Sequence, residues 1–206
     1  MINSIILFDF FNKVWQLINL WDTAIFLEIN RIWTNPLLDA ILPFCRHANT
    51  WAPLYLFLIV FVFVNDKQKA WVWLLFALVN VVITDQVSSH LIKLFVQRPR
   101  PCADPFLQYQ VRLMVDHCSG GYSFTSSHAT NHFGFATLAF FTFRGILKKW
   151  SFIWFLWAAI ISYSQVYVGV HYPLDVICGA LLGIGIGYGM ASLFIRKYGL
   201  LQLNAI

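Results

Sequence analysis

Long apolar runs with very little charge inside them recur along this chain, near 51–65, 70–96, 127–144, 150–169 and 173–195. About 20 helical residues cross a hydrocarbon layer of ~30 Å, so these runs predict an all-α, multi-pass membrane helical bundle of about five transmembrane helices. Hydrophobic residues make up 59% of the 206 positions and charged residues 11%. A water-exposed globule of that composition would leave too much apolar surface uncovered. The chain reads as one domain, 1–206, with no internal repeat and no low-complexity segment.

Residues 1–48 read differently from the rest. Val14, Leu17, Ile18, Trp21, Ile25 and Ile29 recur at helical spacing against Asn12, Lys13, Gln16, Asn19, Asp22 and Asn30. That pattern predicts amphipathic helix on the membrane surface, with a sixth span inside 5–27 as the alternative. Asn35-Pro36 breaks the region, and 37–44 predicts a second short interfacial helix. Asp9 and Lys13 interrupt the start and no small-residue cleavage pattern follows a basic leader, so the first membrane helix is expected to act as an uncleaved insertion signal. The catalytic core is expected over 50–195. A formal charge of +5, scattered over short loops, offers no stripe for nucleic acid.

Loop charge predicts the orientation. With five spans, Lys67, Lys69, Arg144, Lys148, Lys149, Arg196 and Lys197 fall on one side, which the positive-inside rule makes cytoplasmic. The long 97–125 loop and the 169–172 turn then face outward, and three polar clusters come with them.

The first cluster runs from Lys93 through Arg98-Pro99-Arg100-Pro101. A lysine near a helix end often just snorkels to the interface, yet lysine and arginine together also suit phosphate oxygens. The second is Thr125-Ser126-Ser127-His128. Alone it is a helix N-cap, and the same first-turn amides point at any anion placed there. The third runs from Ser164-Gln165 to His171 and Asp175. Pro173 suits a first helical turn, and Asp175 lies four residues past His171, on the same face. A carboxylate there fixes the imidazole tautomer and frees the other nitrogen for attack. Each cluster has a bland structural reading; what favours chemistry is that all three fall at one predicted membrane face.

These residues resemble the motifs of the type 2 phosphatidic acid phosphatase superfamily. Lys93, six residues, then Arg100-Pro101 matches the first motif; Thr125-Ser126-Ser127-His128 keeps the serine and histidine of Pro-Ser-Gly-His; Ser164, His171 and Asp175 match the third, with Gln165 where the family has arginine. The resemblance covers roughly 50–195 and implies a lipid phosphatase of the bacterial cytoplasmic membrane with its site facing the periplasm. It implies His171 as nucleophile, forming a phosphohistidine; Asp175 as its orienting partner; His128 as general acid; and Lys93, Arg100, Ser126 and Ser127 around the phosphate. It implies no metal and no cofactor. Candidate substrates are undecaprenyl diphosphate, phosphatidylglycerophosphate, phosphatidic acid and lipid A phosphates. Gln165 donates a hydrogen bond but carries no charge, so either Arg98 or another nearby group is expected to substitute as the third phosphate cation, or the enzyme is slower or differently selective.

Two other readings stand beside this one. A noncatalytic phosphate-binding or transport relative would explain Gln165. A metal-dependent hydrolase would use His128 and His132, four apart, with His171, although no glutamate base lies between the first two. Cys102 and Cys118 both lie in the outer loop, as a bridge or as two free thiols.

Overall fold

Prolines, aspartates and a serine placed at the ends of the apolar runs fix where the helices start. Asn35 accepts from the Leu38 amide at 2.9 Å ahead of Pro36; Asp66 accepts from the Lys69 amide at 3.3 Å; Ser126 accepts from the Ala129 amide at 3.4 Å. Pro173 occupies a first turn in which the Asp175 carboxylate reaches back to the Tyr172 amide at 2.9 Å. Each supplies an acceptor for an amide that the helix itself leaves open. The resulting elements are α1 (Ile2–Leu27), α2 (Pro36–Cys45), α3 (Ala52–Asn65), α4 (Lys67–Asp85), α5 (Lys93–Val96), α6 (Ser127–Leu147), α7 (Ile153–Tyr167) and α8 (Pro173–Tyr198). A π-helical segment, Gln86–Ile92, joins α4 to α5. The structure is a computed structural model describing residues 2–202, with side chains from Lys13 onward; the Asp9 and Asn12 side chains cited above lie outside the described residues.

The regular elements among the described residues are all helical, with no strand, in a multi-pass membrane architecture. Four stretches are long and apolar enough to cross a bilayer: Ala48–Asn65, Lys67–Val96, Ser127–Tyr167 and Pro173–Tyr198. The third runs 41 residues, but its chain turns at Lys148, φ 50°, and α6 and α7 pack on each other. That stretch is therefore a helical hairpin. Trp71, Leu75, Leu78, Leu156, Leu181 and Leu193 point outward, as lipid-facing residues do. Trp73, Phe135, Phe143, Trp154 and Trp157 fill the interior, and the Trp73 indole donates to Thr142 Oγ at 3.0 Å.

The tightest helix pair is α6 on α8. Gly179, Gly183 and Gly187 lie every fourth residue along one face of α8, and a methyl group built on Gly183 or Gly187 would overlap the Thr130 or Gly134 carbonyl oxygen. One built on Gly179 would stand 2.7 Å from the Ser126 carbonyl oxygen. Small residues let two helical backbones close up where lipid gives no hydrophobic drive to do so. The contact fixes the start of α6 against the start of α8, where the Ser126 amide donates to the Asp175 carbonyl at 3.0 Å.

α1 carries two unlike faces. It is one unbroken helix of 26 residues, roughly 39 Å long at 1.5 Å per residue. Leu17, Ile18, Leu20, Trp21 and Ile25 face outward, whereas Asp22, Phe26 and Asn30 are buried. Asp22 and Asn30 of the polar stripe are turned into the protein, where they have partners. Asn30, in the π-helical turn after α1, donates to the Tyr167 and Arg112 carbonyls at 2.8 and 2.9 Å and accepts from the Arg112 amide at 2.8 Å. Arg112 also reaches Asp39 of α2 at 2.9 Å. These bonds, with a Cys102–Cys118 disulfide, hold the loop between α5 and α6. Lys67, Lys69, Arg144, Lys148, Lys149, Arg196 and Lys197 lie at the other end of the bundle, where Lys69 Nζ donates to the Leu200 carbonyl at 2.8 Å.

Candidate active site

His171 sits in the turn between α7 and α8. Its amide and that of Val170 both donate to the Gln165 carbonyl at 3.2 Å, which folds the chain back over the end of α7 and leaves the imidazole 3% exposed. Arg100 Nη1 lies 3.1 Å from His171 Nε2 and donates to the Val170 carbonyl at 3.2 Å. A guanidinium has only donors, so Nε2 must offer its lone pair and the ring proton resides on Nδ1. Nδ1 faces Asp175 Oδ2 at 3.4 Å. That separation is long for a hydrogen bond and leaves Nδ1 without a bonded partner, the looseness common before a substrate is in place. Burial pushes the imidazole down to about 4 against the pull of Asp175, with Arg100 and Lys93 adding to the depression. The ring is therefore neutral at neutral pH, with a nucleophilic lone pair on Nε2.

Asp175 is held from three sides. It accepts from the Tyr172 amide, faces His171, and pairs with Arg98 Nη1 at 2.9 Å. Arg98 in turn pairs with Asp22 of α1 at 2.6 Å, donates to Asn19 at 3.1 Å and lies over the Tyr172 ring with its central carbon 3.8 Å from the centroid. Both terminal nitrogens are spent. Arg98, expected as a substitute third cation at the phosphate, has its charge matched by two carboxylates, and its fork points at Asp175 and α1.

His128 occupies the first turn of α6. Its ring stacks on His132 with centroids 6.1 Å apart, and His132 gives its Nδ1 proton to the His128 carbonyl at 2.8 Å. His128 is within electrostatic reach of His171, Lys93 and Arg46. Lys93, at the start of α5, is within reach of Arg100 and of Asp175 and Asp85. Ser126 is fully buried with its hydroxyl used as the cap. Ser127 shares a hydrogen bond with Ser89 at 2.8 Å, and Ser89 leads on to Asp85 at 3.2 Å. Asn131 donates to the same carboxylate at 3.3 Å. Gln165 is fully buried at the end of α7 and neither atom of its side-chain amide has a partner.

Lys93, Arg100, His128, His171 and Asp175 are thus brought to one place, Ser126 and Ser127 line its α6 edge, and Arg98 stands behind it. Sequence reasoning missed Asp22, Asn19, Asp85, Ser89 and Arg46. For α1 the signal was present, since Asn19 and Asp22 interrupt an apolar stripe. Among the described residues no group of three or more His, Cys, Asp or Glu side chains converges as a metal site would require. A groove of about 450 Å³ runs along α3, α4 and α6, walled by Tyr55, Leu58, Leu78 and Phe135 and closed by Asn131 and His132. It is apolar and ends one helical turn from His128.

Comparison with known proteins gives a consistent result. The PAP2 superfamily model matches residues 70–198. A lipid A 4'-phosphatase of Porphyromonas gingivalis is 32% identical over 175 residues, 83% of this chain and 72% of that protein. The undecaprenyl-diphosphatase BcrC of Bacillus subtilis is 29% identical over 82% of this chain and 79% of that one. The crystal structure of Aquifex aeolicus LpxE superposes with a TM-score of 0.61 at 30% identity, over 82% of this chain and 94% of the other.

Proposed function

Since this chain belongs to the PAP2 superfamily, we propose that it is a membrane lipid phosphatase that cleaves a lipid A-type phosphomonoester through a phosphohistidine at His171. The observation that carries the chemistry is the placement of His171 Nε2, a neutral lone pair 3.1 Å from Arg100 with Asp175 behind the other nitrogen. A phosphate held by Arg100 and Lys93 meets that lone pair directly. Nε2 attacks phosphorus, the P–O bond to the lipid breaks, and His128 protonates the departing oxygen. His128 then draws a proton from water as the water displaces His171 and releases inorganic phosphate. Asp175 steadies the ring while it carries positive charge.

The substrate class rests on likeness to the lipid A 4'-phosphatase and on the apolar groove ending near His128, which suits an acyl chain. A diphosphate such as undecaprenyl diphosphate is the second reading, favoured by the BcrC likeness. The site lies at the end opposite Lys69, Arg144 and Lys197, which supports an outward-facing site in a bacterial cytoplasmic membrane. The test is phosphate release in detergent from lipid A, phosphatidic acid, phosphatidylglycerophosphate and undecaprenyl diphosphate. Preference for lipid A, abolished by His171→Ala and blocked by vanadate but not by EDTA, is expected. Preference for the diphosphate would move the substrate, and full activity in His171→Ala would overturn the mechanism.

A further inference from the structure

Lys93, Arg100 and Arg46 gather near the two site histidines, and none of them forms an ion pair among the described residues. The first two belong to the sequence motif already described. Arg46 belongs to none. It follows the last residue of α2, and its side chain is not needed to cap that helix. Thr50 Oγ donates to the Phe44 carbonyl and the Trp51 indole to the Cys45 carbonyl, both at 2.7 Å. These two bonds fold 44–51 into a tight turn and carry Trp51 onto Trp157, 5.6 Å between centroids. Trp157 edges onto His132 at 5.1 Å, and His132 stacks on His128. The turn bearing Arg46 is thereby seated on the His128 side of the site.

The Arg46 guanidinium is poised for an anion that the protein does not supply. Its Nε is buried with no hydrogen-bond partner, and its charge is felt at both His128 and Arg100. Two neighbouring like charges with an unpaired buried donor are costly until a counter-charge arrives. Gln165, the uncharged replacement in the third motif, presents an unpartnered buried amide at the end of α7. α2 is tied to that same end by the Tyr167 hydroxyl, which donates to Asp39 at 2.5 Å.

We infer that Arg46 is the third phosphate-binding cation of this site, reaching in from α2 to supply the charge that Gln165 lacks and gripping the phosphate oxygens nearest the leaving group. The inference rests on the phosphatase reading above. Its ligand is a phosphate monoester dianion or the equivalent end of a diphosphate. The position beside His128 puts the fork where negative charge grows as the P–O bond breaks, so it stabilises the transition state more than the bound lipid.

The test compares native protein, Arg46→Gln, Arg46→Lys, and Gln165→Arg alone and on the Arg46→Gln background. Phosphate release and vanadate binding by calorimetry are both read in detergent, on samples matched by gel filtration and melting temperature. Arg46→Gln should lose roughly 10–100-fold in kcat/KM, the scale of one charge-assisted contact, and weaken vanadate by a similar factor. Arg46→Lys, keeping the charge without the fork, should fall between. Gln165→Arg should restore several-fold activity on the Arg46→Gln background while giving no gain in the native chain. Native vanadate affinity in Arg46→Gln overturns the inference, whether activity is unchanged or lost, because loss without weaker anion binding means that Arg46 only props α2. If the native chain cleaves none of the lipids, the phosphatase reading fails, while the vanadate arm still judges Arg46.

Discussion

A guanidinium flanked by Asp22 at 2.6 Å and Asp175 at 2.9 Å has no charge left over for a substrate. We therefore propose that Arg98 acts on the chemistry through Asp175, as a positioning residue. Arg98→Gln is expected to lower kcat at least 10-fold while leaving KM and vanadate affinity within about twofold, whereas Arg100→Gln should weaken both. Because breaking a buried ion pair commonly costs ~3–5 kcal/mol, Arg98→Lys serves as the companion variant and should recover part of kcat. A rise in KM and loss of vanadate binding in Arg98→Lys, matching Arg100→Gln, would return Arg98 to the phosphate. Legibility at this scale follows distance along the chain. His171 and Asp175 share one turn and could be read as a pair from spacing alone. Arg98 and Asp175 are 77 positions apart, and nothing in the run Arg98-Pro99-Arg100 says which arginine turns toward the substrate and which toward α8.

Between helices, the decisive device is the glycine face of α8 against α6. Gly183→Val should drive a side chain into the Thr130 carbonyl and separate the two helix starts. Overpacking of this kind costs ~1–3 kcal/mol, so the melting temperature should fall by several degrees and activity with it. Gly185, on the same helix with open space around it, is the control: Gly185→Ala should leave both unchanged. Equal effects at the two positions would mean that helix propensity, not close approach, is what these glycines serve. The helix starts near Pro36, Ser126 and Pro173 were legible because proline and serine act locally. The role of α1 was not, because a periodic pattern reveals that a helix has two unlike faces without revealing what each face meets. Apolar residues turned outward satisfy lipid, and the polar stripe satisfies Arg98 and Arg112.

At the scale of the molecule, Lys67, Lys69, Arg144, Lys148, Lys149, Arg196 and Lys197 lie at one end, and the site with its own cations and its braced loop lies at the other. The Cys102–Cys118 bridge belongs on an oxidising side of the membrane, in keeping with the proposed outward-facing site. On intact cells whose outer membrane has been made permeable, a bilayer-impermeant maleimide is expected to label Cys102 and Cys118 only after a reductant is added. Labelling without reductant would remove the bridge, and labelling only after cell lysis would invert the topology. The bundle class was readable because apolar length is a sum over many residues and tolerates local error. The site's charge balance was not readable, because the second counter-charge of Arg98 is Asp22 of α1, which the apolar runs do not mention.

That closure bears on anyone trimming the protein to a smaller catalyst. The stretch matched by the family model begins at residue 70 and holds His171, Asp175 and Arg98. A cut there would export the proposed nucleophile with a supporting arginine that has lost Asp22, one of its two counter-charges, along with Asn19. The smallest portable version of this enzyme therefore starts upstream of Asn19, with a helix that never touches the phosphate.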